Sequence, residues 1–232
     1  MENTTLTQTL LQVICRYRLR TYSNRQAGFT FIELLVVIII VGVLSAIAAP
    51  GWLGFVQQRR AGAASDAMVR AIQEAQSLAK TRKLSYSISF RNEGGVPQVA
   101  IYPYKNTSGN DIDPNNLDDI SWKSLGNEQL ALKPGQIILR TNLGTANQGN
   151  NTINKIPNGE VKTITFSFLG SLPTAPLPVL NVDGDDAQEG LVVEVGAPQG
   201  TNDVITVTRR CAKIRTLLGS LQTKKGEQCN LD

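Results

Sequence analysis

Between Glu33 and Arg59 the chain runs for 25 residues without a charged side chain. At ~1.5 Å of rise per residue, a helix of that length covers about 37 Å, enough to cross a hydrocarbon core of roughly 30 Å. The apolar part extends from Leu34 to Ala49, and a basic leader with Arg16, Arg18, Arg20 and Arg25 precedes it. One carboxylate, Glu33, stands at the mouth of the segment. An ionisable group is costly there, which marks Glu33 as functional.

Gly28-Phe29-Thr30-Phe31-Ile32-Glu33 and the apolar run behind it strongly resemble the class III signal of type IV pilins and pseudopilins. That pattern joins a basic leader to a glycine, a hydrophobic first mature residue, a glutamate as the fifth, and then a membrane helix. Pro50 falls where many pilins carry a helix-kinking proline. The resemblance implies cleavage between Gly28 and Phe29 by a prepilin peptidase on the cytoplasmic face, followed by methylation of the new Phe29 amine. In an ordinary secretory signal cleavage follows the apolar run; here it precedes the run, which stays on the mature protein. Glu33 would then pair with the Phe29 amine of a neighbouring subunit and set the register of assembly.

The resemblance divides the 232 residues into a leader at 1–28, a transmembrane and filament-core helix at 29–55, and a head outside the membrane at 56–232. Beyond the N-terminal helix about 150 residues remain, enough for one globular domain. Of the net charge of +4, the leader carries four arginines against one glutamate, so the mature chain is near +1 and bulk charge does not point to nucleic acid. There is no histidine. That removes the usual general base, the usual zinc ligand and the Ser-His and Cys-His nucleophile systems, and the expectation is a protein that is not an enzyme and needs no cofactor. Cys15 would leave with the leader. Cys211 and Cys229 remain as a pair in a compartment where disulfides persist, and closing their ~18-residue loop would contribute about 3 kcal/mol. Two free thiols are the alternative.

Phe29 to about Lys83 reads as one long helix, with Gly42, Pro50, Gly51 and Gly54 as places to bend or loosen. Past Arg59 the apolar residues Ala64, Ala67, Met68, Ala71, Ile72, Ala75, Leu78 and Ala79 recur at helical spacing, and their small size permits close approach of strands. The period then drops to two. Leu84–Phe90 and Gln98–Tyr104 form a hairpin about Glu93-Gly94-Gly95. Further strands are expected at 120–124, 136–141 and 161–168, a second hairpin from 191–195 and 204–208, and a last strand at 214–218. The tract 143–159, rich in Asn and Gly, reads as a mobile loop. A long helix followed by antiparallel strands is an α+β pattern, similar to the pilin head in which a helix lies across a sheet. The layout most resembles the minor-pilin branch called GspH/FimT.

Two further clusters carry chemistry. Arg209, Arg210, Lys213 and Arg215, with Lys224 and Lys225 nearby, put six cations within 17 residues. Such a cluster can meet phosphates through guanidinium contacts. FimT-type pilins carry a Gly-Arg-x-Arg motif linked to DNA capture, which Arg210-Cys211-Ala212-Lys213 approximates without the glycine. The alternatives are a solvated basic face and a contact with acidic loops of other pilins. Asp183-Gly184-Asp185-Asp186 with Glu189 is an oxygen-rich tract that could hold calcium, though its spacing does not match an EF-hand, and an exposed acidic turn is the simpler reading. The expected partners are other pilins or pseudopilins, the peptidase and the inner membrane, with DNA as a further candidate. A DNA-binding tip pilin and a minor pseudopilin of a type II secretion system stand beside the priming or capping subunit as functional readings.

Overall fold

The computed structural model describes residues 28–115, 120–126, 132–144, 147–173 and 190–231. Residues 1–27, the acidic tract at 183–189 and residue 232 lie outside them. The chain divides into two units, Met1–Ala48 and Ala49–Asp232.

Helix α1 spans Phe31–Arg82. In the first unit Thr30 starts it. The Thr30 carbonyl accepts the Leu34 N–H at 3.1 Å, and its hydroxyl accepts the Glu33 N–H at 3.3 Å. This satisfies one of the donors that every helix start leaves open, and Glu33 three residues on completes the sequence of a capping box. Phe31–Ala48 is long and apolar enough to cross a membrane, and none of it is buried among the described residues.

In the second unit the helix is the spine of the head. Ala64, Met68, Ala71, Ile72, Ala75 and Ala79 form a buried stripe at the predicted spacing, with the predicted Ala67 and Leu78 half-buried beside it and Ala61 extending it. Two antiparallel sheets pack on it. One has the order β3-β2-β1-β6 and the other β11-β10-β7-β4-β5. The first comprises β1 (Tyr86–Glu93), β2 (Val96–Pro103), β3 (Lys123–Ser124) and β6 (Val161–Phe166). The second comprises β4 (Ile138–Leu143), β5 (Gly149–Lys155), β7 (Leu191–Gly196), β10 (Arg210–Ile214) and β11 (Leu221–Lys225). Both deliver apolar side chains to one core: Ile88, Phe90, Ile164 and Phe166 from the first, Leu139, Val193, Val195, Ala212 and Ile214 from the second.

The alternation in Leu84–Phe90 has a chemical counterpart on the other face. There Ser87 meets Thr165 at 2.9 Å, and Ser89 meets Thr163 at 2.6 Å and Tyr102 at 2.7 Å, each hydroxyl to hydroxyl. The β1–β2 hairpin closes on Gly94 and Gly95, both at positive φ (56° and 79°), a two-residue turn that only glycines form cheaply.

Three expectations are corrected. The tract 143–159 contains β5, an edge strand paired to β4 with an irregular register between Thr141 and Leu143. Its polar side chains face solvent, which gave the sequence of a loop to a strand with one neighbour. Asn147, at φ 63°, is buried and holds the tract to the first sheet, donating to the Thr165 carbonyl at 2.9 Å and accepting the Thr165 N–H at 2.7 Å. Second, β7 pairs with β10, not with 204–208. In between lie a small ribbon, β8 (Pro198–Gln199) with β9 (Asp203–Val204), and a 3-10 turn at Thr206–Thr208. The Thr208 hydroxyl donates to the Ile205 carbonyl at 2.7 Å and accepts the Ala197 N–H at 3.0 Å, a local bond that overrides the β propensity of Thr-Val-Thr. Third, the last strand is Leu221–Lys225; 214–218 enters the turn before it. The long apolar helix continuing into a helix packed on antiparallel sheets is an α+β, pilin-like fold.

Candidate functional site

Gly28, Phe29 and Thr30 precede the helix in non-helical, exposed backbone. A Cβ added at Gly28 would meet nothing within 4 Å, so none of the described residues requires glycine there. Phe29 is 77% exposed, and Glu33 is exposed in the first helical turn, where a negative charge suits the helix dipole. No ion pair among the described residues involves Glu33.

The basic segment is built differently from an open cationic face. Strand alternation sends Ala212 and Ile214 to the core and turns Arg209, Cys211 and Lys213 to the opposite face of the second sheet. The C-terminal turn Gly226–Cys229 lies over that face, joined by the Cys211–Cys229 disulfide with Cα atoms 5.7 Å apart. Both cysteines are fully buried with Val192. Asn230, next to the disulfide, accepts Arg209 Nη1 through its side chain and Lys213 Nζ through its backbone carbonyl at 2.8 Å. Arg210 is half-buried and donates to the Val207 and Arg209 carbonyls at 3.2 and 2.8 Å, while Arg215 is exposed. The four cations therefore do not share one surface: Arg209 and Lys213 are buried against the C-terminal turn, and only Arg215 points freely to water.

Beneath Arg209 lies an ion network that the sequence reading missed. Glu194 of β7 is 1% exposed and takes Arg140 Nη1 at 3.1 Å, with Arg209 Nε 3.5 Å from the same oxygen. Asp203, on the ribbon, takes Arg140 Nη1 at 2.7 Å and Arg209 Nη2 at 3.1 Å. Burial pushes the Glu194 carboxyl up, against the pull of Arg140 and Arg209. The Asp203 carboxyl is held down, first by the Val204 N–H and then by the two guanidiniums. A single charge inside each of two apolar strands, Arg140 within 137–143 and Glu194 within 191–195, was the signal available in the sequence. Among the described residues no group of three His, Cys, Asp or Glu is placed to hold a metal ion.

With the exposed junction and bare apolar helix in view, comparison with known proteins bears on the N-terminal segment. Residues 23–49 match a family model described as the prokaryotic N-terminal methylation motif. The match spans the Gly28–Phe29 junction, Glu33 and the apolar run. It is similar to the type IV major pilin protein PilA of Myxococcus xanthus (strain DK1622), at 37% identity over 78 residues, which is 34% of this chain and 34% of that protein. The chain spans about a third of the length of the curated relative it matches. No solved structure gives a significant match.

Proposed function

We propose that this chain is a minor type IV pilin or pseudopilin of the GspH/FimT-like branch, a structural subunit without enzymatic activity. It inserts in the cytoplasmic membrane, is cleaved after Gly28 and methylated on Phe29, and enters a filament with other pilins to prime or cap assembly. The observation that carries this reading is the apolar helix Phe31–Ala48, which lies within the matched methylation motif at 23–49 and is not buried by any of the described residues. Lipid would cover it first and the helices of neighbouring subunits afterwards. Glu33 supplies the register, because a carboxylate entering an apolar bundle needs a cationic partner and the methylated Phe29 amine of a neighbour is one.

Replacement of Glu33 by Ala tests this role. The variant is expected to insert and to be processed, yet to be missing from sheared filaments. Filaments containing it at the normal level would remove Glu33 from assembly. DNA capture at a tip stands second, because Arg209 and Lys213 already serve internal partners.

A further inference from the structure

The Arg140–Arg209 pair has the form of a carboxylate receptor already occupied by Asp203. The base is rigid. Glu194 holds both guanidiniums from below, the Ile153 carbonyl takes Arg140 Nη2 at 2.9 Å, and the Asn230 side chain takes Arg209 Nη1. Both arginine side chains are nearly buried, at 14% and 10% exposure. Asp203 reaches the pair from the β8–β9 ribbon, with 58% of its side chain exposed. It reaches both guanidiniums through a single oxygen, Oδ1, which also takes the Val204 N–H at 2.8 Å. Arg140 Nε is buried without a hydrogen-bond partner, and Arg209 Nε has only the 3.5 Å ion-pair contact with Glu194. Above them an open depression of about 530 Å³ is rimmed by Asn151, Thr152 and Asn154 of edge strand β5 and by Asn230.

We propose that this fork is a binding site for a carboxylate of another polypeptide, with Asp203 as its resident and displaceable occupant. Charge selects the ligand. Two guanidiniums over one buried carboxylate leave a single positive charge once Asp203 withdraws, which one incoming carboxylate neutralises. A dianionic phosphate would be left in excess beside buried Glu194. The exposed amides on the rim supply donors to the backbone or side chain that carries the guest. This inference concerns the head alone and does not depend on how the N-terminus is processed.

The full chain in detergent micelles, labelled with ¹⁵N, tests it through the Nε–H signals of Arg140 and Arg209. Sodium acetate, standing in for an acidic side chain, is titrated against chloride at constant ionic strength, with inorganic phosphate as a separate arm. In Asp203→Asn, an isosteric change at an exposed position, both signals are expected to shift and saturate with acetate. The wild type is expected to need about tenfold more acetate, because Asp203 competes from within the same molecule. Asp203→Ser should reproduce the variant's behaviour. Equal acetate dependence in wild type and variants, shifts that never saturate, or saturation with phosphate alone would each overturn the proposal.

Discussion

Arg140 and Glu194 face each other at directly opposed positions of the β4–β7 pair, with Nη1 and Oε1 3.1 Å apart. Glu194 is almost wholly buried, so the guanidinium is what makes an ionised carboxylate tolerable on that face of the sheet. Removing one member of such a pair leaves the other buried and uncompensated. Arg140→Met is expected to destabilise the head by about 3 kcal/mol or more. Arg140→Met combined with Glu194→Leu should recover much of that loss. Chemical denaturation of the disulfide-intact protein measures both.

The same network gives the head an unusual pH dependence. The folded-state pKa of Glu194 lies above its ordinary value of 4.5, so the folded state holds that proton more tightly than the unfolded chain does. Stability from this group is therefore expected to fall as pH rises from about 4.5 through the raised value. Asp203 acts the other way. Its folded pKa lies below 3.8, so its contribution is present above 3.8 and is lost as pH falls through the lowered value. In a series of melting temperatures from pH 3 to 7, Glu194→Gln should abolish the decline on the higher side and Asp203→Asn the loss on the acid side. A Glu194→Gln profile that superimposes on the wild type would refute the assignment.

The helix, its buried stripe, the β1–β2 hairpin and the core strand at Val161–Phe166 were legible in the sequence because each rests on periodicity over many residues. What the sequence concealed depends on partners remote along the chain. β5 is a strand only because β4 borders it, and Asn147 replaces a missing backbone partner with its side chain. The pairing of β7 with β10 skips a ribbon and a 3-10 turn that no local propensity announces. In the basic segment, residue types at 209–215 were visible but their faces were not. The alternation that buries Ala212 and Ile214 carries Arg209 and Lys213 beneath a C-terminal turn, where Asn230, 17 residues after Lys213, meets them.

Those faces separate the cations by role. Arg209→Gln and Lys213→Gln are expected to lower stability, since each leaves Asn230 without its buried donor, by about 1–3 kcal/mol. Arg215→Gln should leave stability within about 0.5 kcal/mol of the wild type. A salt series of duplex DNA binding on the same proteins asks whether DNA is a partner. A DNA interface built from all four cations requires Arg209→Gln and Arg215→Gln to weaken binding alike.

The Cys211–Cys229 bridge fastens the C-terminal turn over β10 and closes a loop of 18 residues in sequence separation. Replacing both cysteines with serine is expected to cost about 3 kcal/mol in denaturant unfolding. It should also weaken the Asn230 contacts to Arg209 and Lys213, read as faster amide exchange at 209–213. Unchanged exchange there would mean that the turn holds without its bridge.

The central claim is that the apolar helix remains on a mature protein that begins at Phe29. Mass spectrometry of the N-terminal peptide, from protein recovered in membranes and in sheared surface material, tests it most directly. The expected peptide begins Phe29-Thr30-Phe31-Ile32-Glu33 and carries one methyl group on its amine. A chain in assembled material that still begins at Met1, or one cut after the apolar run near Ala49, would contradict it.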